Sequence, residues 1–144
     1  MDGKMAIRQR ISLGLLSVLV LIIMYMLQRT NYCSAIFTSL RLDQPSDNFQ
    51  FIFNKTLRYV INDFSVILLI FVLFENIQLI KIAFLIQLIG LLIVLPLYFY
   101  LKLRFEGTSE ISSPLLSFIH RVVVNPILML LLIPAFYYQQ QLKK

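Results

Sequence analysis

Four stretches of the chain are apolar enough, and long enough, to be membrane helices: residues 11–27, 57–74, 82–101 and 114–138. A bilayer core takes roughly 20 residues of helix, with about 17 as the practical minimum. Each run is continuous and lacks the in–out alternation of barrel strands. The pattern predicts an all-α integral membrane protein, four transmembrane helices in a small bundle, forming a single multi-pass domain over residues 1–144. The first run follows Lys4, Arg8 and Arg10, as a signal peptide would. However, it is longer than the usual apolar region of a signal, and no A-x-A-like site follows it. Tyr32 before Cys33 also spoils a lipoprotein cleavage site. A retained helix is expected.

The connections differ in kind. Residues 75–81 are few, so spans two and three should form a tight antiparallel hairpin. Residues 102–113 are polar and carry Glu106, Gly107 and Glu110, with Ser113 as a helix cap and Pro114 at the first helical position. The longest connection is 28–56, in which Pro45-Ser46-Asp47 predicts a turn opening a helix. Phe49, Phe51, Phe53 and Leu57 then give an aromatic segment at headgroup level. Pro96, Pro126 and Pro134 each remove a helical hydrogen bond and should bend their spans, with Asn125 able to satisfy a freed carbonyl. Tyr98, Phe99, Tyr100, Phe136, Tyr137 and Tyr138 fit interfacial belts. Asn54-Lys55-Thr56 matches a glycosylation acceptor, a pattern with many chance hits.

Composition supports the membrane reading and narrows the chemistry. Of 144 residues, 59% are hydrophobic and 14% charged, against roughly a quarter charged in soluble domains. One Cys and one His exclude a disulfide scaffold and a zinc finger, so neither a metal nor another cofactor is expected. The net charge is +6, but the positives sit at the ends of apolar runs, without the basic clusters interleaved with aromatics that nucleic acid requires. On the side of the N-terminus lie Lys4, Arg8, Arg10, Lys81, Lys143 and Lys144; on the other, Arg29, Arg41, Lys55, Lys102 and Arg104. The positives before span one and at the C-terminus favour both termini in the cytoplasm.

Polar residues inside the spans carry the candidate site. A charge at the centre of a span costs roughly 2.5 to 3.5 kcal/mol, so it needs a reason. Asn54, Arg58 and Asn62 recur every four residues on one helix face, with Asp63 beside them. Ser117, Arg121 and Asn125 repeat that spacing in span four, with His120 at the stripe's edge. Spans two and four run in the same direction, so the two stripes can meet at one depth. The economical pairing is an Asp63–Arg121 ion pair, with Asn62, His120 and Asn125 nearby and Arg58 snorkelling outward. Structural locking of helices is the favoured role, ahead of ligand or partner binding. No catalytic residue is assigned. The rival reading places a nucleophile at Cys33, near Arg29 and on the side of His120 and Arg121, as in a membrane peptidase or transpeptidase.

Several stretches resemble the exosortase F system-associated membrane proteins. These are NKTLRYVIND (residues 54–63), KIAF (81–84), LPLY (95–98) and above all SPLLSFIHRVVVNP (113–126) followed by LLIPAFYYQ (131–139). The resemblance covers residues 50–140; before it there is only a basic start and one span. It implies a small multi-pass protein of the bacterial inner membrane whose gene accompanies exosortase F, a transpeptidase-like enzyme that processes C-terminal sorting signals. The implied role is an accessory partner or scaffold, with the lipid bilayer, the exosortase and its sorted substrate proteins as the implied partners. It transfers no catalytic residues, and Cys33, His120 and Arg121 lack the motif context of the exosortase's own catalytic set. A small oligomeric transporter ranks last, because span one carries no carboxylate and no second charged hairpin mirrors the first.

Overall fold

The computed structural model describes residues 6–142, which form helices and no strand. Lys4, Lys143 and Lys144, used in the charge count, lie outside the described residues. The helices are α1 (Ile7–Met26), α2 (Tyr32–Ser39), α3 (Asp47–Phe74), α4 (Ile77–Ile89), α5 (Leu95–Phe105), α6 (Pro114–Val124) and α7 (Ile127–Leu142), with a π-helical segment Gly90–Val94 joining α4 to α5. Among the described residues, three units are long and apolar enough to cross a membrane: α1, α3 and the continuous Ile77–Phe105. The pair α6–α7 makes a fourth if taken as one span, with a 58° bend at its break.

Proline chemistry explains both irregularities. Pro96 has no N–H to give its helix, and the turn before it widens, with Leu95 N–H reaching the carbonyl of Gly90 five residues back. Pro126 acts more severely. Asn125 before it is extended (ψ 146°), as steric conflict with a following proline ring favours, and the helix stops. Pro134, by contrast, sits inside α7 without ending it.

The hairpin after α3 is tighter than residues 75–81 suggest. Glu75 takes the left-handed conformation (φ 48°) and ends α3, and the Asn76 side chain accepts from Gln78 N–H to begin α4. Arg10 of α1 donates to the Val72 carbonyl (2.8 Å from Nη2) and pairs with Glu75 (3.1 Å). This cation at a helix C-terminus satisfies an orphan carbonyl and fixes α1 against α3. Small residues let the two helices approach: Ser17 is buried, and a Cβ on Gly14 would touch Val72 at 3.4 Å.

One helix is unforeseen. α2 lies within the long 28–56 connection, capped by Asn31, which accepts from Ser34 N–H. Asn54 of α3 holds it by accepting from Cys33 N–H (2.8 Å) and donating to Asn31 (2.8 Å). Asn54 is therefore a helix-to-helix tie, with its amide already engaged, and not the open loop position a glycan acceptor needs.

Two apolar clusters fill the bundle. One joins α3, α4 and α7 through residues such as Val66, Ile70, Ala83 and Met129; the other joins α3, α5 and α6 through Tyr59, Leu95, Tyr98 and Val124. The aromatic belts are divided accordingly. Tyr100, Tyr137 and Tyr138 are exposed, whereas Tyr98, Phe99 and Phe136 are core residues. Phe51 likewise packs edge-on against Phe99 rather than lying free at the interface.

Candidate functional site

The polar residues of α3 do meet the α6–α7 break, but with different partners from those expected. Arg58 is only 5% exposed and donates from Nη2 to the Asn125 side-chain oxygen at 2.8 Å. The expected snorkelling of Arg58 is therefore corrected, because the unwound corner at Asn125 offers a polar acceptor inside the bundle. The Asn62 amide donates to the Val124 carbonyl at 3.4 Å. That carbonyl lies at the end of α6, where the extended Asn125 withdraws the helical donor. The relief of a freed carbonyl comes from Asn62, not from Asn125.

The Asp63–Arg121 ion pair does not form. Asp63 is buried at 3% exposure, while Arg121 is on the exposed side of α6. The two stripes share a depth, but Asp63 points about 100° around α3 from Asn62. Its polar neighbour is the Tyr59 hydroxyl one turn earlier. Asp63 lines a cavity of about 140 Å³ with Tyr59, Gly90, Asn125, Pro126 and Met129, so the π-helical turn and the helix break face one carboxyl-bearing hollow. Ser117 is half-buried on α6, and neither it nor Arg121 makes a side-chain hydrogen bond to α3 among the described residues.

His120 and Cys33 have different partners. His120 Nδ1 shares a 2.7 Å hydrogen bond with the Tyr98 hydroxyl of α5, and the rings lie 5.6 Å apart. Cys33 is wholly buried where α2 meets Asn54 of α3.

Four residues that the sequence did not mark as part of the site complete the region. Tyr59 donates to the Gln87 carbonyl at 3.1 Å and closes over Gly90. Tyr98, Lys102 and Glu106 follow one another at intervals of four, a single helix face whose spacing was the available signal. Lys102 has 0% exposure; its Nζ donates to the Ser109 carbonyl (2.9 Å) and the Gly107 carbonyl (3.3 Å) and pairs with Glu106 (2.9 Å). Glu106 in turn accepts from Ser113 N–H (2.7 Å) and from the Ser112 N–H and hydroxyl. The loop leading into α6 is thus held from both sides by one ion pair.

Lys102 beside it, with the Ser113 and Ser112 donors, holds the Glu106 carboxyl down from 4.5 to about 2. A carboxyl lowered on folding contributes stability that is complete above its ordinary value and is lost as pH falls through its folded value. The loop should therefore stay closed at pH 5 and loosen between pH 4.5 and 2. Amide exchange at Ser112 and Ser113, corrected for intrinsic rates, should lose protection in that window. Unchanged protection at pH 2 would refute the role of Glu106.

The helical bundle with a polar layer at a broken helix defines the class of structure. No family model, no curated protein and no solved structure matches the chain.

Proposed function

We propose that this chain is a multi-pass protein of a bacterial inner membrane, with both termini in the cytoplasm, serving as an accessory partner or scaffold of an exosortase-type sorting system. One observation carries the choice of partner over enzyme. The Cys33 thiol is wholly buried under α2, whose backbone N–H at Cys33 is held by Asn54, and the His120 ring is bonded to Tyr98 of α5. The buried polar residues act as ties between helices, the role small membrane bundles commonly give them. The resemblance over residues 50–140 supplies the kind of partner, and the exposed apolar faces of α1 and α4–α5 supply surface for lipid or for another membrane protein.

Deletion of the gene, followed by mass analysis of the C-termini of exported proteins, tests the role. Uncleaved sorting signals support it, and unchanged termini remove it. Restoration of processing by a Cys33→Ala copy is expected; failure at normal protein level would favour a peptidase.

Topology has its own test, because the bent pair α6–α7 could cross the membrane or turn back within it. Together the two helices supply roughly 40 Å of rise, ample for a crossing even when bent. Single cysteines placed at Ser109 and Lys144, in a Cys33→Ala background, should label from opposite sides. Labelling from one side would make the pair a re-entrant loop and leave three spans.

A further inference from the structure

A second hollow, of about 420 Å³, opens where α1 ends. It is lined by the turn after α1, by Asn54, Lys55 and Arg58 of α3, and by Glu110 of the loop before α6. Three cations face it: Arg29, Lys55 and Arg58. One acid, Glu110, faces it too, which leaves a net of +2 from these four groups (three minus one). None of the four is in an ion pair among the described residues. The Lys55 ammonium lies 5.8 Å from the centre of the Phe51 ring. Arg58, three residues further along α3, adds a like charge to the same wall. Arg58, 5% exposed, keeps its Nε buried with no hydrogen-bond partner among the described residues. A buried guanidinium N–H without an acceptor is costly, and like charges gathered around it raise the cost. The like-charge cost falls if an anion enters the hollow.

We propose that this hollow binds a phosphate-type anion, with Arg58 at its base and Lys55 and Arg29 at its sides. A guanidinium and an ammonium around a polar space are the groups that recognise phosphate oxygens. The depth points to a source. The hollow begins at Gln28, two residues past the last of α1, at the level of the headgroups if α1 crosses the bilayer. An anionic phospholipid headgroup would place its phosphate there. That assignment of source rests on the membrane reading above, whereas the anion site itself does not.

The test uses the full chain in an uncharged maltoside detergent, with thermal unfolding as the readout. Short-chain phosphatidylglycerol is compared with a sugar-headed glycerolipid of the same chains and with inorganic phosphate. Near saturation the phosphatidylglycerol should raise the melting temperature by roughly 5 to 10 °C, the sugar lipid by little. Lys55→Gln should lose most of the rise, and Arg58→Gln all of it. Among the described residues Lys55 makes no hydrogen bond to another helix, so its variant keeps the test readable should Arg58→Gln fail to fold. Inorganic phosphate reproducing the rise would support the site and name the free anion as its source. An equal response to both lipids, or a Lys55→Gln variant that responds like the parent, would overturn the proposal. Neither arm depends on the topology, so a failed labelling result and a failed binding result are separate findings.

Discussion

Lys102→Met should lower the melting temperature of the purified protein by about 10 °C, the larger of the two mutational effects expected here. Methionine keeps most of the stem's volume but none of its donors. The two bonds to the Ser109 and Gly107 carbonyls are charge-assisted and fully buried, and together they are worth about 3 kcal/mol. Their loss also leaves Glu106 beside α5 without its counter-charge. Ser113, which Glu106 holds, is the residue from which α6 starts, so the loosened loop should free the His120–Tyr98 contact as well. A lysine merely reaching for headgroups would tolerate methionine, so a change under about 1 °C would contradict the buried-lysine account. Lys102→Arg separates charge from shape: the larger fork does not fit a site closed on all sides, and it should rescue little.

Gly90→Ala is expected to destabilise, against the general rule. In an ordinary helix the change gains about 1 kcal/mol, because alanine has less backbone freedom to lose. Here the new Cβ would collide with the Tyr59 hydroxyl and lie 3.1 Å from the ring carbon that bears it. Tyr59 is buried, and its ring cannot swing away without giving up its bond to the Gln87 carbonyl. Overpacking costs about 1 to 3 kcal/mol and the lost hydrogen bond about 1 more, so a net loss of about 2 kcal/mol is expected. Tyr59→Phe should recover part of it, since the hydroxyl is the atom met first. The two changes should be non-additive by about 1 kcal/mol in a double-mutant cycle. A stabilised Gly90→Ala protein would mean that Tyr59 does not close over the π-helical turn.

Residue 90 also shows where a linear reading stops. Gly90 and Pro96 mark span three as irregular, yet nothing local reveals that the irregularity makes room for a tyrosine thirty-one residues earlier in the chain. The start of α3 was legible, because Pro45-Ser46-Asp47 is a local signal acting over one turn. So was the break at Pro126, where a ring clashes with its own neighbour. α2 was not, because eight residues with a single cap carry too little periodicity to stand out from a loop. The four-residue stripes put Asn62 and Asn125 near one another, as the bond from Asn62 to the Val124 carbonyl has them, but sent Arg58 outward. They also proposed a pairing that geometry denies.

The amino-acid sequence by itself determined which segments are apolar over a bilayer's length, since apolar run length is a local property, while it left α2 inside a connection and α6–α7 as one span. It also allowed the polar faces of α3 and α6–α7 to meet at one depth, because residues four apart share a face and the two spans run the same way. Only the tertiary structure decided who bonds to whom. A helix rotated by one residue turns every side chain by about 100°, and that rotation is set by packing across all neighbours at once. Thus Arg58, not Arg121, reaches Asn125; Lys102 is enclosed and not exposed; and Asp63 faces a hollow opposite Gly90.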